Sequence, residues 1–189
     1  MFANADRNLR NESLIGPDGR GAVAGIAIEN VDGGIVEDIV CRDIVLEGVY
    51  VPIFIRGGKR VRRSCGTMPS EWHVFRNVLV ENVKGTWSSA IGNSISGVSG
   101  FPIRNVTLRN VRLSGPGLPT PETSWREPVP ELAGNYPGAS MFRRPLPAYG
   151  LWARHVEGLE LENVSFRLTD AACETRPDIV TDDVTRIER

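Results

Sequence analysis

Lysine is nearly missing from this sequence: Lys59 and Lys84 are the only two, and the other basic residues are all arginine. Arginine presents a planar fork that suits carboxylates, although codon bias produces the same imbalance. Cysteine is scarce as well. Cys41, Cys65 and Cys173 give neither a zinc spacing nor a framework of paired cysteines. The two histidines, His73 and His155, lie far apart in the chain, and no metal or other cofactor is implied. A formal charge of −1 gives no reason to expect nucleic acid or an acidic membrane surface as partner. No apolar run is long enough to cross a bilayer as a helix. The opening residues, Met1-Phe-Ala-Asn-Ala-Asp-Arg-Asn8, lack the apolar centre of a signal peptide.

What the chain does have is a repeat. In Ile103-Arg-Asn-Val-Thr-Leu-Arg-Asn-Val-Arg-Leu113, Val106 and Leu108 alternate with polar residues, the period of a strand with one buried face. The next apolar pair, Val111 and Leu113, is out of phase by one residue. Such a slip sends the second pair to the wrong face unless the chain turns a corner at Asn110. Asparagine tolerates the left-handed conformation that a corner needs. The same unit occurs at Asp38–Ile44, Asn77–Val83 and Gly158–Val164, with Asp43, Asn82 and Asn163 at the corner and Cys41, Val80 and Leu161 at the position of Leu108. Starting at residues 38, 77, 105 and 158, the units lie 39, 28 and 53 residues apart. The shortest spacing fits one coil of a parallel β-helix, and the longer ones fit coils carrying inserted loops. Each unit buries its apolar face only by stacking on the next. A leucine-rich repeat fits less well, because its asparagine comes later and its repeat is shorter.

The expected architecture is therefore all-β: a single-stranded parallel β-helix of about five partial coils. Coils are assigned to 23–56, 75–113 and 149–181, with inserted loops at 57–74 and 114–148. A second kind of strand, Val51-Pro-Ile-Phe-Ile-Arg56, has expected counterparts at Ser89-Ala-Ile-Gly92, Tyr149–Arg154 and Pro177–Thr181, giving three short strands per coil. The first insertion gathers Lys59, Arg60, Arg62 and Arg63, either a solvated loop or a lobe over an anionic substrate. The second holds eight of the thirteen prolines together with Trp125, Tyr136, Phe142, Arg126, Arg143 and Arg144. Proline keeps it out of the strand stack. Its aromatics either pack it onto the stack or, with the arginine forks, receive a sugar bearing a carboxylate.

Four segments carry a family resemblance: Val31-Asp-Gly-Gly34, Val51–Arg56, Gly100-Phe-Pro-Ile-Arg-Asn-Val-Thr-Leu-Arg-Asn-Val111 and Leu146-Pro-Ala-Tyr-Gly-Leu-Trp-Ala-Arg-His155. From residue 12 onward the chain resembles the C-terminal half of bacterial glycoside hydrolase family 28 proteins, which are polygalacturonase-like and rhamnogalacturonan-active. The resemblance implies a right-handed β-helix of the pectin-lyase-like class and an acidic plant polysaccharide as partner. It also implies secretion or a periplasmic location, action as a monomer, and inverting hydrolysis of bonds between uronic acid or rhamnose units. Inversion needs carboxyl groups roughly 6.5–9.5 Å apart, which adjacent coils about 4.8 Å apart can supply.

The family's motifs, Asn-x-Asp, Asp-Asp, Gly-His-Gly and Arg-x-Lys, are not met in that order. Gly-His-Gly and Arg-x-Lys are missing, and the single Asp-Asp pair, Asp182-Asp183, comes at the far end. Asn30-Val-Asp32-Gly33 mimics the first motif, yet Asp32 reads better as a turn residue before two glycines. His73 and His155 read as surface or loop-anchoring residues. The expectation is thus a chain without the catalytic acids, a fragment whose catalytic coils precede Met1, and no catalytic residue is assigned. The residues expected to contact sugar are Arg56, Lys59, Arg60, Tyr136 and Arg143. A non-catalytic carbohydrate-binding or adhesive β-helix is the alternative.

Overall fold

A computed structural model describes residues 22–60 and 73–186. Eight strands form one all-parallel sheet that nearly closes round an axis: β1 (Ala24–Asn30), β2 (Gly34–Val49), β3 (Val51–Gly57), β4 (His73–Trp87), β5 (Asn93–Ser96), β6 (Ile103–Pro116), β7 (Leu151–Asp170) and β8 (Ile179–Arg186). The one helical piece among the described residues is a 3₁₀ turn at Ser124–Arg126. This is a parallel β-helix. One stack runs β1, β3, β5, the start of β7 and β8, and the other runs β2, β4, β6 and the body of β7.

The long strands bend because of a few residues. Asp43, Asn82, Asn110 and Asn163 all have φ between 53° and 57°, so each corner is left-handed. The phase slip in the sequence has this physical cause. The register then superposes Ile44, Val83, Val111 and Val164 just beyond the corner. At the corner itself the side-chain amides form a ladder: Asn82 Nδ2 donates to Asp43 at 2.9 Å, Asn110 to Asn82 at 3.1 Å, and Asn163 to Asn110 at 2.8 Å. A second left-handed row, which the sequence reading did not separate from the first, lies five residues earlier at Asp38, Asn77, Asn105 and Gly158. Its own ladder joins Asn77 to Asp38 and Asn105 to Asn77. The two rows divide each long strand into three runs, so a coil has four faces rather than three.

The interior fills by stacking like on like. Val80 lies over Leu108, Val78 over Val106 over Leu159, and Ile55 over Ile95 over Ala153; Cys41 joins the same core at the β2 end. A fully buried Leu or Ile adds about 2 kcal/mol, and backbone bonds along the stack satisfy the polar groups between. Gly85 fits only because it lacks a side chain. A Cβ there would sit 2.0 Å from the carbonyl oxygen of Leu46 in the neighbouring tier.

One expected strand is displaced. The partner of β3 is Asn93–Ser96, four residues beyond Ser89–Gly92, with Ile95 as the inward residue. Ile91 packs outside the stack instead, and Gly92 turns the chain with φ 102°. Asn93 closes this corner from within: its side chain accepts from the Ile53 N–H at 2.8 Å and donates to the Gly150 carbonyl at 2.6 Å.

Residues 117–150, which follow β6, lie against the outer face of the β3–β5–β7 stack. Val51, Phe54 and Trp152 face outward there and are covered by Val129, Ala139, Phe142, Leu146 and Ala148. Phe142 meets Trp152 edge to face, with centroids 5.5 Å apart. The aromatic residue Phe142 thus packs the segment onto the scaffold.

Candidate functional site

The outer face of the β1–β3–β5–β7–β8 stack carries one charged or polar side chain per tier. Glu29, Arg56, Ser96, Arg154 and Asp182 are in register. Alternation within each strand puts them outside, because Ile28, Ile55 and Ile95 on the preceding positions point in. Arg56 and Ser96 in this row are buried and Arg154 is half-buried, while Glu29 and Asp182 at its two ends are exposed.

Arg56 does not face a ligand. It is 2% exposed, and its guanidinium donates to Ser96 Oγ at 3.2 Å, to the Gly97 carbonyl at 3.1 Å and to the Glu131 carbonyl. Burial lowers its pKa to about 10, with the Glu131 charge partly restoring it and Arg154 lowering it further. The side chain stays cationic at neutral pH and acts as a strut between the strand and the loop. The expected sugar contact at Arg56 is therefore corrected, since no donor of the fork is left facing solvent.

Its neighbours in the row are also engaged. Glu131 accepts from His155 Nε2 at 2.8 Å and pairs with Arg154 at 2.9 Å, while Arg154 also reaches Asp182 at 3.2 Å. Partial burial works against the Glu131 charge, but hydrogen bonds from His155 and from the Ser99 N–H hold its carboxyl below the usual range. The other ring nitrogen of His155 meets Asp183 at 2.6 Å. His155 thus ties the loop, through Glu131, to the strand stack. Asp182 and Asp183 are split between an ion pair and a left-handed corner with φ 52°. His73, at the start of β4, packs edge to face on Phe101 at 5.3 Å, and burial lowers its pKa.

Two of the expected sugar contacts do come together. Arg60 and Tyr136 line a cleft of about 280 Å³ with Glu29, Asn30, Asp32 and Pro137. The backbone places them. The Arg60 N–H donates to the Val31 carbonyl at 2.7 Å, and the Lys59 N–H donates to the Ala133 carbonyl, joining the chain after β3 to the long loop. Arg60 grips both oxygens of Asp32, with Nε to Oδ1 at 2.8 Å, and this contact keeps the guanidinium more firmly protonated. The guanidinium carbon also sits 5.0 Å from the centre of the Tyr136 ring, which is 73% exposed. Asn30 donates to the Gly34 and Val74 carbonyls and so fixes the turn in which Asp32 stands. Gly33 and Gly34, with φ of 94° and 92°, complete that turn.

Lys59 is exposed and lies 4.9 Å above the Phe101 ring, outside the cleft lining. Arg143 is exposed at a left-handed loop position with φ 55° and does not line the cleft either. Arg62 and Arg63 lie outside the described residues. Glu29 was missed by the sequence reading. Its partial burial raises its pKa. The signal was present, because Ile26-Ala-Ile-Glu29 repeats the alternation of Ile53-Phe-Ile-Arg56 in the tier below. Among the described residues no cluster of histidine, cysteine or carboxylate side chains could hold a metal ion.

The outer face of this parallel β-helix thus carries an open cleft set with the exposed Tyr136 ring and the side chains of Glu29 and Asp32. The family model described as Glycosyl hydrolases family 28 matches residues 21–130, more than half of the chain, and the chain belongs to that family. No curated protein and no solved structure matches it.

Proposed function

We propose that this chain serves a pectin-degrading, polygalacturonase-like glycosidase that hydrolyses uronic acid- and rhamnose-containing polysaccharide with inversion. In this reading the coils are right-handed, about five in number, and act as a monomer on an acidic plant polysaccharide. The described tiers hold carbohydrate, and the catalytic acids are not among them. Family membership supports the substrate class. The observation that carries the division of labour is the state of the carboxylates on the outer face. Asp32 is gripped by Arg60, Glu131 by Arg154 and His155, and Asp182 by Arg154. An inverting pair needs one carboxyl kept protonated and another available to activate water. Partial burial raises the pKa of Glu29, but its neighbour Asp32 already has both oxygens engaged by Arg60.

The same pairing favours a second reading, a carbohydrate-binding β-helix without hydrolysis. Incubating the chain with polygalacturonate and with rhamnogalacturonan, and measuring both retention on the polymer and release of reducing ends, tests whether this chain holds carbohydrate and whether it lacks the acids. Retention without release supports a holding surface. Release shows that acids within this chain suffice, and the absence of both sinks the carbohydrate reading altogether.

A further inference from the structure

The cleft beside Tyr136 has a charge that runs against the usual expectation for a pectin-binding surface. Among its described lining residues are two carboxylates, Glu29 and Asp32, and one cation, Arg60. That cation is spent internally: its edge is committed to Asp32 and its face to the Tyr136 ring. Lys59, the nearby cation with an exposed side chain, lies over Phe101 and outside the lining. Among the described residues, a sugar carboxylate entering here meets a net negative wall and no cationic fork open to it. Like charges at close range in a partly desolvated cleft repel appreciably.

The other features suit a sugar without charge. About 280 Å³ lies at the small end for a ligand cleft, which is room for a single ring rather than a long oligomer. Tyr136 is 73% exposed and already held on one side by the guanidinium, so it offers a fixed aromatic surface for the apolar face of a sugar ring. Pro137, buried beside it, stiffens the platform. The Glu29 carboxylate is acceptor-only, and its complement is a ring hydroxyl that donates.

We infer that this cleft is a subsite for a neutral monosaccharide unit, stacked on Tyr136 and hydrogen-bonded through its hydroxyls to Glu29, and that it discriminates against uronate. The inference rests on the carbohydrate reading above and refines it: within an acidic polysaccharide, the uncharged residue is the one seated here.

The test uses two disaccharides of the same stereochemistry, digalacturonate and the same molecule with both carboxylates reduced to hydroxymethyl groups. Binding to the full chain is measured by calorimetry at low ionic strength, where repulsion is least screened. The reduced disaccharide is expected to bind at least about tenfold more tightly than the acid. Glu29→Gln keeps the shape and removes one charge, so it should narrow that ratio to about twofold or less, mainly by improving binding of the acid. Tyr136→Ala should weaken the reduced form by at least about tenfold. Equal or tighter binding of the acid by the unaltered chain overturns the inference while leaving the carbohydrate reading intact. A ratio unmoved by Glu29→Gln, or binding of the reduced form unmoved by Tyr136→Ala, also overturns it. Absence of binding by either disaccharide defeats both.

Discussion

Arg56 carries a charge into a position that is 2% exposed, and it does so because three acceptors from two segments of chain surround it. Removing the guanidinium strands the Ser96 hydroxyl and two carbonyls in a buried place. Arg56→Ala is therefore expected to lower stability by roughly 2–4 kcal/mol, read as a shift in the urea midpoint, and to make the 117–150 segment more sensitive to protease. Carbohydrate affinity per folded molecule should change little. The asparagine corners give a second prediction at this scale. Asn110 needs φ near 53° and also links two rungs of its ladder. Asn110→Ala loses both and should cost about 1–2 kcal/mol. Asn110→Gly keeps the backbone freedom and loses only exposed hydrogen bonds, so its thermal midpoint should fall less than that of Asn110→Ala. The corners were legible in the sequence because a strand cannot shift phase without one. Arg56 as a strut was not. Its partners Ser96 and Glu131 lie 40 and 75 residues away, and no local pattern reports what packs on an outward side chain.

Each strand element is ordinary in itself, and the loop after β6 is what individualises the molecule. Both its ends are clamped by one buried pair. Glu174 accepts from the Leu118 N–H at 3.1 Å near the beginning of the loop. Arg176 donates to the Leu146 carbonyl at 3.2 Å near its end and to the Ile91 carbonyl at the turn before β5. The two side chains grip each other bidentately at 2.9 and 2.7 Å and are 0% exposed at Arg176 and 2% at Glu174. Burial opposes the Glu174 charge, but the bonds from Arg176 and Leu118 prevail and hold its carboxyl below the ordinary value of 4.5. The folded state thus favours the ionised form. Its stabilisation is complete above the ordinary carboxyl range and is lost as pH falls through the lower folded pKa. Urea midpoints measured from about pH 6 to about pH 3 should fall more steeply for the unaltered chain than for Glu174→Gln, with the two converging at the acid end. The sequence disclosed that proline bars this segment from the stack. It did not disclose the clamp, because Glu174 and Arg176 sit two residues apart in a stretch with no periodicity.

At the scale of the whole molecule, four copies of one phase slip were enough to read a stacked, parallel, all-β architecture, since each copy can bury its apolar face only on its neighbour. The placement of β5 was misjudged for a related reason: Ser89-Ala-Ile-Gly and Asn93-Ser-Ile-Ser both carry a single isoleucine at the third position, and only the register with Ile55 and Ala153 decides between them. For the cleft, the sequence supplied Arg60 and Tyr136 but not their relation to Glu29 and Asp32. That relation exists only once the loop folds back beside the end of β1. On the proposed reading, carbohydrate is held at this cleft, on the exposed face of Tyr136. Affinity electrophoresis of the unaltered chain and of Tyr136→Ala through gels containing rhamnogalacturonan tests it most directly. Retardation of the unaltered chain, largely abolished in Tyr136→Ala, is the predicted result. Equal mobility of the two proteins, whether both are retarded or neither is, would contradict the claim.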